Sequence, residues 1–164
     1  MRIAVFSTKS YDKEYFEKYL KDYNYSFSYF EIHLNKETAS LSAGFDVVCA
    51  FVNDKIDVAT TKILSHNGVK LIAMRCAGFN NVDLKAAKSH QIKVVRVPSY
   101  SSEAVAEHAM ALILTLNRKT HKAYNRVREG NFSLRNLIGF NLHGKTVGVI
   151  GTGQIGAAFC RILK

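Results

Sequence analysis

The sequence predicts an α/β fold built on a parallel sheet. Short runs rich in β-branched and aromatic residues alternate with segments of helical periodicity along the first hundred residues. Val47–Phe51 is continuously apolar, which is typical of a strand that is covered on both faces. A glycine-rich turn follows a further apolar run near residue 150, and a second helical pattern follows that turn. A strand, a turn and a helix in this order predict the beginning of another unit of the same class.

Five strands with intervening helices are predicted before residue 100, which is a compact flavodoxin-like arrangement. Helices are expected to begin at Ser10, to run from about Asp57 to a stop at Asn67-Gly68, and to follow a cap at Asp83 as far as Ser89. The predicted strands are Arg2–Phe6, Tyr25–Ile32, Val47–Phe51, Leu71–Met74 and Ile92–Val97.

Residues 101–164 have a different character. Ser101 or Ser102 can cap a long helix that reaches about Arg118 and is apolar nearly all round. Such a helix is expected to be buried on most sides, between two domains or between two subunits. A polar, basic helix to about Glu129 is expected next, and then irregular chain to Gly144. A fresh strand is predicted over Lys145–Ile150, immediately before the glycine-rich turn.

The net charge of +10 comes from the second half of the chain. Residues 1–83 hold ten basic and ten acidic side chains, whereas residues 84–164 hold thirteen and three. The basic run after the apolar helix has two interpretations, a patch for polyanions or the solvated face of a helix. We favour the second, and no nucleic-acid partner, because neither interleaved aromatic residues nor a known nucleic-acid motif accompanies the charges. The run comprises Arg118, Lys119, Lys122, Arg126 and Arg128.

The cysteines and the apolar segments predict a cytoplasmic protein without a membrane partner. Cys49, Cys76 and Cys160 show no Cys-x-x-Cys spacing, and the first two have apolar neighbours that indicate burial as free thiols. Residues 104–116 form the longest nearly apolar stretch, which Glu107 and His108 interrupt and which is too short to cross a bilayer. The amino terminus does not have the pattern of a signal peptide.

The histidines predict neither a metal site nor a catalytic group. His108 lies on the apolar helix, where a hydrogen-bonded core histidine is the favoured interpretation. The other five show no constellation with acids or serines and no metal-ligand spacing. They are His33, His66, His90, His121 and His143.

One motif predicts dinucleotide chemistry. Residues 151–156 read Gly-Thr-Gly-Gln-Ile-Gly, directly after an apolar run and at the start of a helical pattern. Gly151 permits the tight turn, Gly153 lets the backbone approach a pyrophosphate, and Gly156 allows close packing of helix on strand. Backbone N–H groups at the helix start then face the diphosphate. The acidic residue that would select NAD or NADP is expected about 20 residues further on, beyond Lys164.

Three ordered segments resemble D-2-hydroxyacid dehydrogenases, most closely the D-lactate dehydrogenases within that family. They are residues 75–83 (RCAGFNNVD), residues 97–109 (VPSYSSEAVAEHA) and residues 144–156 (GKTVGVIGTGQIG). The resemblance implies a flavodoxin-like substrate domain over residues 1–100. It also implies that residues 101–164 hold interdomain and dimer helices and the first strand, turn and helix of a truncated NAD-binding Rossmann domain. The implied protein is a homodimeric oxidoreductase that interconverts D-2-hydroxy acids and 2-keto acids.

The resemblance also assigns substrate residues. The backbone N–H groups of Ala77 and Gly78 would receive the substrate carboxylate, Phe51 would line the side-chain pocket, and Tyr100 would lie at the hinge near both substrate and cofactor. Each has a plainer interpretation as an ordinary turn, a core residue or a boundary residue. Arg75 is expected to form a structural ion pair rather than to touch substrate.

The implied cofactor is NAD. Val105 would pack on its nicotinamide ring and Gln154 and Ile155 would meet its pyrophosphate, together with Gly151, Thr152, Gly153 and Gly156. The family's catalytic Arg, Glu and His would all lie beyond this chain, so no catalytic residue is assigned within it. The alternative hypothesis is a non-enzymatic binding module of the same fold.

Overall fold

The computed structural model describes residues 1–164 as two compact units, Met1–Tyr100 and Ser101–Lys164. The first unit contains a five-stranded parallel sheet whose strand order is 2-1-3-4-5. This is the order of the flavodoxin-like folds, with helices in the connections between strands. The predicted α/β class and its parallel sheet are therefore confirmed.

All five predicted strands form, most of them shorter than the sequence suggests. The β4 strand matches its prediction residue for residue, and the others lose residues at one or both ends, where the chain leaves the ladder. The elements are β1 (Arg2–Val5), α1 (Ser10–Tyr19), β2 (Ser26–Tyr29), a 3₁₀ turn (Ala39–Ser42), β3 (Val47–Ala50), α2 (Val58–His66), β4 (Leu71–Met74), α3 (Leu84–Ser89) and β5 (Lys93–Arg96).

Asp57 and Asp83 cap the helices α2 and α3 through their side chains. The Asp57 carboxylate accepts the Thr60 N–H at 2.9 Å, and the Asp83 carboxylate accepts the Ala86 N–H at 2.8 Å. Each cap satisfies one of the N–H groups that a helix start leaves unpaired. Gly68 ends the α2 segment with a φ of +88°, a conformation that costs glycine little.

The core of the first unit surrounds β3, the central strand of the sheet, and its neighbour β1. Every residue of β3 is buried, and three of the four residues of β1 are buried. Cys49 and Cys76 lie in this unit as buried free thiols, which confirms that prediction. The largest wholly buried apolar side chains are Phe6, Leu34, Ile56, Leu64, Ile72, Val5 and Val48.

The second unit consists of α4 (Ser102–Arg118), α5 (Thr120–Arg128), α6 (Gln154–Ile162) and irregular connections. The α4 helix packs against α6, and the buried positions of the two helices are Ala106 and Ala158. The Ser101 hydroxyl caps α4 by accepting the Ala104 N–H at 3.1 Å, so the first of the two candidate caps is the one used.

The predicted strand over Lys145–Ile150 is wrong, because this segment has no strand assignment. A parallel strand exists only when a neighbouring strand pairs with its N–H and C=O groups. The sheet of the first unit contains only β1 to β5, and the second unit has no other strand. Val147 and Ile150 are consequently exposed.

Within this chain α4 is covered on one face only, so its burial between two domains or two subunits stays a prediction. Leu112, Leu114 and Leu116 are exposed to 50%, 43% and 69%, because α6 covers only the face that contains Ala106. His108 follows Ala106 by two residues, about 200° round a helix, and it is exposed. The interpretation of His108 as a core histidine is therefore wrong.

Part of the basic run supports the loop after α5. The Lys119 ammonium donates to the carbonyls of Asn136 and Ile138 at 3.2 and 3.0 Å. The Arg126 guanidinium donates to the carbonyls of Ser133 and Arg135 at 3.1 and 2.6 Å. Lys119 and Arg126 therefore hydrogen-bond to backbone carbonyls within their own unit. No helix of the chain has the length and apolarity needed to span a membrane.

Candidate functional site

The carboxyl edge of the parallel sheet contains the first candidate site. Ala77 and Gly78 lie three and four residues after the end of β4, and neither backbone N–H has a hydrogen-bond acceptor in the chain. Their carbonyls do have partners, since Ala77 O accepts from Arg96 at 3.0 Å and Gly78 O accepts from Cys76 Sγ at 3.2 Å. Two adjacent N–H groups at this edge can donate to an anion such as a carboxylate.

Phe51 follows the neighbouring strand β3 directly, and its backbone N–H and carbonyl are both hydrogen-bonded. Its N–H donates to Asp54 Oδ2 at 2.6 Å, and its carbonyl accepts from Asn81 Nδ2 at 3.0 Å. The ring is half-buried, and the Arg75 guanidinium carbon lies 5.2 Å from its centroid. The backbone of Phe51 is therefore fixed, and its aromatic ring lies at the same edge of the sheet as the N–H groups of Ala77 and Gly78.

A buried carboxylate joins the loops at this edge. Asp54 is 1% exposed, and its Oδ1 accepts from Ser7 Oγ at 2.6 Å and from the Leu34 N–H at 2.8 Å. With the Phe51 N–H on Oδ2, three segments that follow β1, β2 and β3 meet at one side chain. Asp54 thus fixes the backbone of the loops that follow β1, β2 and β3, including that of Phe51.

The expectation that no histidine meets an acid and a serine is wrong for His33. Its Nδ1 lies 2.7 Å from Ser7 Oγ and 3.8 Å from Asp54 Oδ1. This cluster is not visible in the sequence, because His33 and Asp54 are 26 and 47 residues from Ser7. Only the parallel sheet brings the three side chains together. The usable signal is that Ser7, His33 and Asp54 each follow a strand that ends at the same edge.

This cluster is arranged to hold structure rather than to activate a nucleophile. Ser7 donates its single hydroxyl hydrogen to Asp54, so the His33 Nδ1 must act as the donor to Ser7 Oγ. An imidazole in that tautomer cannot remove the serine proton through the same nitrogen. A Ser–His pair acts in catalysis only when the histidine accepts that proton.

Arg75 forms the predicted ion pair, which the structure confirms. Its Nε lies 3.5 Å from Asp12 Oδ1, and the two side chains are only 12% and 14% exposed. The same guanidinium donates to the carbonyls of Phe6 and Ser7 at 2.9 and 3.1 Å. Arg75 therefore ties α1 and the loop after β1 to the end of β4.

Burial raises the pKa of the Cys49 thiol to about 11, although the neighbouring Arg75 guanidinium lowers it in part. The ordinary value is 9.0, so between pH 9 and pH 11 the unfolded chain loses this proton before the folded chain does. Stability must then fall as the pH rises through that window, by about 1 kcal/mol per pH unit. We expect urea unfolding at pH 8 and pH 10 to show a smaller loss for Cys49→Ala than for the wild-type chain. Equal losses in the two proteins would contradict this assignment.

The glycine-rich turn of the second unit is the second candidate site. Gly151 has a φ of +92°, and Gly153 is the residue that caps α6. A Cβ built on Gly156 would overlap the Gly151 carbonyl oxygen, whereas a Cβ on Gly153 meets no atom within 4 Å. The turn is therefore closed on the side of Gly156 and open at Gly153. The start of a helix is a favourable place for an anion, because its dipole and its first backbone N–H groups point there.

The remaining predicted residues lie at accessible positions. Tyr100 ends the first unit and is 71% exposed. Val105 belongs to the first turn of α4 and is 38% exposed, and Ile155 of α6 is 48% exposed. Thr152 and Gln154 are also exposed. No group of three His, Cys, Asp or Glu side chains is arranged to hold a metal ion.

Comparison with known proteins identifies the family. The D-isomer specific 2-hydroxyacid dehydrogenase catalytic domain matches residues 3–148. The chain belongs to this family. It is 57% identical over its whole length to a 2-hydroxyacid dehydrogenase homolog of Haemophilus influenzae and 52% identical to the D-lactate dehydrogenase of Escherichia coli, covering 50% of each. The chain thus spans about half the length of these relatives.

Solved structures give the same result. The apo-structure of D-lactate dehydrogenase from Escherichia coli superposes with a TM-score of 0.92 over 99% of this chain and 52% of that one. D-lactate dehydrogenase from Aquifex aeolicus, complexed with NAD and lactic acid, gives a TM-score of 0.76 at 31% identity, over 98% of this chain and 47% of that one. The sequence resemblance to D-2-hydroxyacid dehydrogenases is therefore confirmed.

Proposed function

We propose that this chain supplies the first half of an NAD-dependent D-2-hydroxyacid dehydrogenase that interconverts D-lactate and pyruvate. The observation that carries the proposal is the likeness to the Escherichia coli D-lactate dehydrogenase, which extends over the whole chain at 52% identity. The unpaired cysteines support a reducing compartment such as the cytoplasm.

The substrate-binding residues lie at the carboxyl edge of the sheet in the first unit. The N–H groups of Ala77 and Gly78 bind the substrate carboxylate, because they are adjacent and without an acceptor in the chain. Phe51 packs on the side chain of the acid, which is a methyl group in pyruvate. Tyr100, exposed at the end of this unit, contacts the substrate from the hinge.

The glycine-rich turn fits a dinucleotide. A ligand backbone can approach Gly153, since a Cβ there meets no atom within 4 Å, and the N–H groups at the start of α6 bind the pyrophosphate. Residues 151–156 and Val105 would hold NAD. The bound cofactor supplies hydride transfer between its nicotinamide C4 and C2 of the acid. Solved relatives with NAD bound include the Aquifex aeolicus enzyme.

We expect the 164-residue chain alone to show no pyruvate or D-lactate turnover and only weak NAD binding. No catalytic residue is assigned within it, and the acidic residue that binds the cofactor ribose is expected beyond Lys164. A chimera that joins this chain to the second half of the Escherichia coli D-lactate dehydrogenase should restore NADH oxidation with pyruvate. The measurement is absorbance at saturating NADH, with pyruvate, 2-ketobutyrate and glyoxylate compared.

The control is the same chimera with its catalytic histidine replaced, which must be inactive. A folded chimera that oxidises NADH with none of the 2-keto acids would refute the proposed activity and favour the non-enzymatic binding module.

Light scattering of the chimera reports its oligomeric state. We propose a homodimer, because Leu112 and Leu116 on α4 are 50% and 69% exposed and a second copy can cover them.

A further inference from the structure

Arg75 makes more contacts than an ion pair with Asp12 requires. Its guanidinium donates to two backbone carbonyls, Phe6 O at 2.9 Å and Ser7 O at 3.1 Å, and stands 5.2 Å from the ring centroid of Phe51. The side chain is only 12% exposed. A planar guanidinium can donate along its edge while its face lies on an aromatic ring, and an ammonium group cannot. A lysine could keep a cation near the ring, but it could not make this whole set of contacts at once, so the combination is specific to arginine.

The register of the sheet explains why these two side chains meet. Ala50 of β3 pairs with Met74 of β4, and the Arg75 N–H donates to Ala50 O at 2.9 Å. Phe51 and Arg75 are the next residues of the two strands, so both leave the sheet at its carboxyl edge. Ala77 and Gly78 follow Arg75 by two and three residues, so the backbone that bears Arg75 leads directly into the proposed carboxylate site.

Different groups hold the backbone and the ring of Phe51. Asp54 and Asn81 fix its backbone through the N–H at 2.6 Å and the carbonyl at 3.0 Å. Those contacts leave the two side-chain torsions of the phenylalanine free. The Arg75 guanidinium lies against the ring, and the two carbonyl bonds and the Asp12 carboxylate hold the guanidinium in place. Phe51 also packs against the hydrophobic core, and Arg75 is the charged group that adds a restraint on the direction of the ring.

We propose that Arg75 is a positioning residue that sets the ring of Phe51 and thereby limits the length of the 2-keto acid side chain that the site accepts. This inference rests on the proposed function, in which Phe51 packs on that side chain. While the guanidinium holds the ring, the pocket keeps the depth that suits a methyl group. When the ring is released it can rotate away, and a longer side chain then enters.

The test uses the chimera and the conservative variant Arg75→Lys, which keeps the charge. We expect the ratio of kcat/KM for pyruvate to kcat/KM for 2-ketoisocaproate to fall about three- to tenfold, the range of a partly desolvated cation–π contact. In a Phe51→Leu background the same substitution should leave this ratio unchanged, because no ring remains to be positioned. A purely structural arginine would lower both kcat/KM values by one factor in both backgrounds, and that result would overturn the proposal.

Asn67→Ala supplies a matched structural control. The Asn67 amide also makes two hydrogen bonds, to Ala39 O at 3.1 Å and Ser42 Oγ at 3.0 Å. It follows the carboxyl end of α2, which leads back to the opposite edge of the sheet. We expect Asn67→Ala to lower Tm and to leave the substrate ratio unchanged. A change in the ratio equal to that of Arg75→Lys would show that general destabilisation causes it, and would overturn the proposal.

A second measurement separates this inference from the proposed function. If the wild-type chimera reduces no 2-keto acid, the proposed function fails, and the ring contact is then tested in the 164-residue chain by NMR with ¹³C-labelled phenylalanine. Arg75→Lys should shift the ring signals of Phe51, and Asn67→Ala should not. Phe51 signals that are identical in wild-type and Arg75→Lys chains would overturn the positioning role.

Discussion

Replacing Asp54 with alanine is expected to destabilise the chain by about 3 kcal/mol or more, because it leaves three donors without their acceptor at ~1–3 kcal/mol each. These donors are the Ser7 hydroxyl, the Leu34 N–H and the Phe51 N–H, at 2.6, 2.8 and 2.6 Å from the carboxylate. The side chain is 1% exposed, so water cannot readily replace it. A loss of this size is a large share of the stability of a domain.

Urea unfolding followed by circular dichroism measures the effect. Asp57→Ala is the matched control, since Asp57 also accepts a backbone N–H, at the start of α2, but its side chain is 40% exposed. Loss of such a cap costs about 1 kcal/mol. Asp54→Asn should fall between the two, because an amide keeps one oxygen that can accept. If Asp54→Ala costs no more than Asp57→Ala, the three loops are held together by other contacts.

The elements that the sequence predicts correctly are those with local causes. Asp57, Asp83 and Ser101 cap helices through N–H groups three residues away, so a short window contains the whole interaction. The continuous apolar character of Val47–Phe51 likewise reports that both faces of β3 are covered. Alternation of such strands with capped helices is sufficient to predict the parallel sheet.

The errors have non-local causes. Residues 145–150 have the composition of a strand, but pairing depends on a neighbour that the pattern does not contain. The predicted burial of Leu112 and Leu116 likewise depends on what packs against α4 from another domain or subunit, and it stays a prediction. The cluster of Ser7, His33 and Asp54 arises from three loops that only the finished sheet brings together.

The candidate sites divide in the same way. The glycine turn is visible in sequence because six consecutive residues contain its geometry. The Ala77–Gly78 pair and Phe51 became candidates through family resemblance alone, since nothing local shows that their strands end side by side. The restraint of the Phe51 ring by Arg75 required the register of β3 against β4.

Substitution Gly156→Ala in the chimera is expected to raise the dissociation constant for NAD at least a hundredfold, about 2.7 kcal/mol. A Cβ at this position would overlap the Gly151 carbonyl oxygen, which is backbone and cannot rotate aside. The turn must therefore open, and Gly151, whose φ is +92°, is the residue through which it turns. The N–H groups at the start of α6 then lose the arrangement in which they would bind a pyrophosphate. Calorimetry with NAD measures the change.

Two other glycines separate the shape of the turn from contact with the ligand. Gly153→Val should raise the NAD dissociation constant while lowering Tm much less than Gly156→Ala does. A Cβ at Gly153 meets no protein atom within 4 Å, so only the capping preference of glycine is lost, but the side chain would stand where the pyrophosphate approaches. Gly148→Ala, which also meets nothing within 4 Å and lies before the turn, should change neither quantity. Gly156→Ala should lower Tm as well as affinity, since the overlap is with the protein itself. NAD affinity that survives both Gly153→Val and Gly156→Ala would place the cofactor elsewhere, and the turn would then be a structural link between residue 150 and α6.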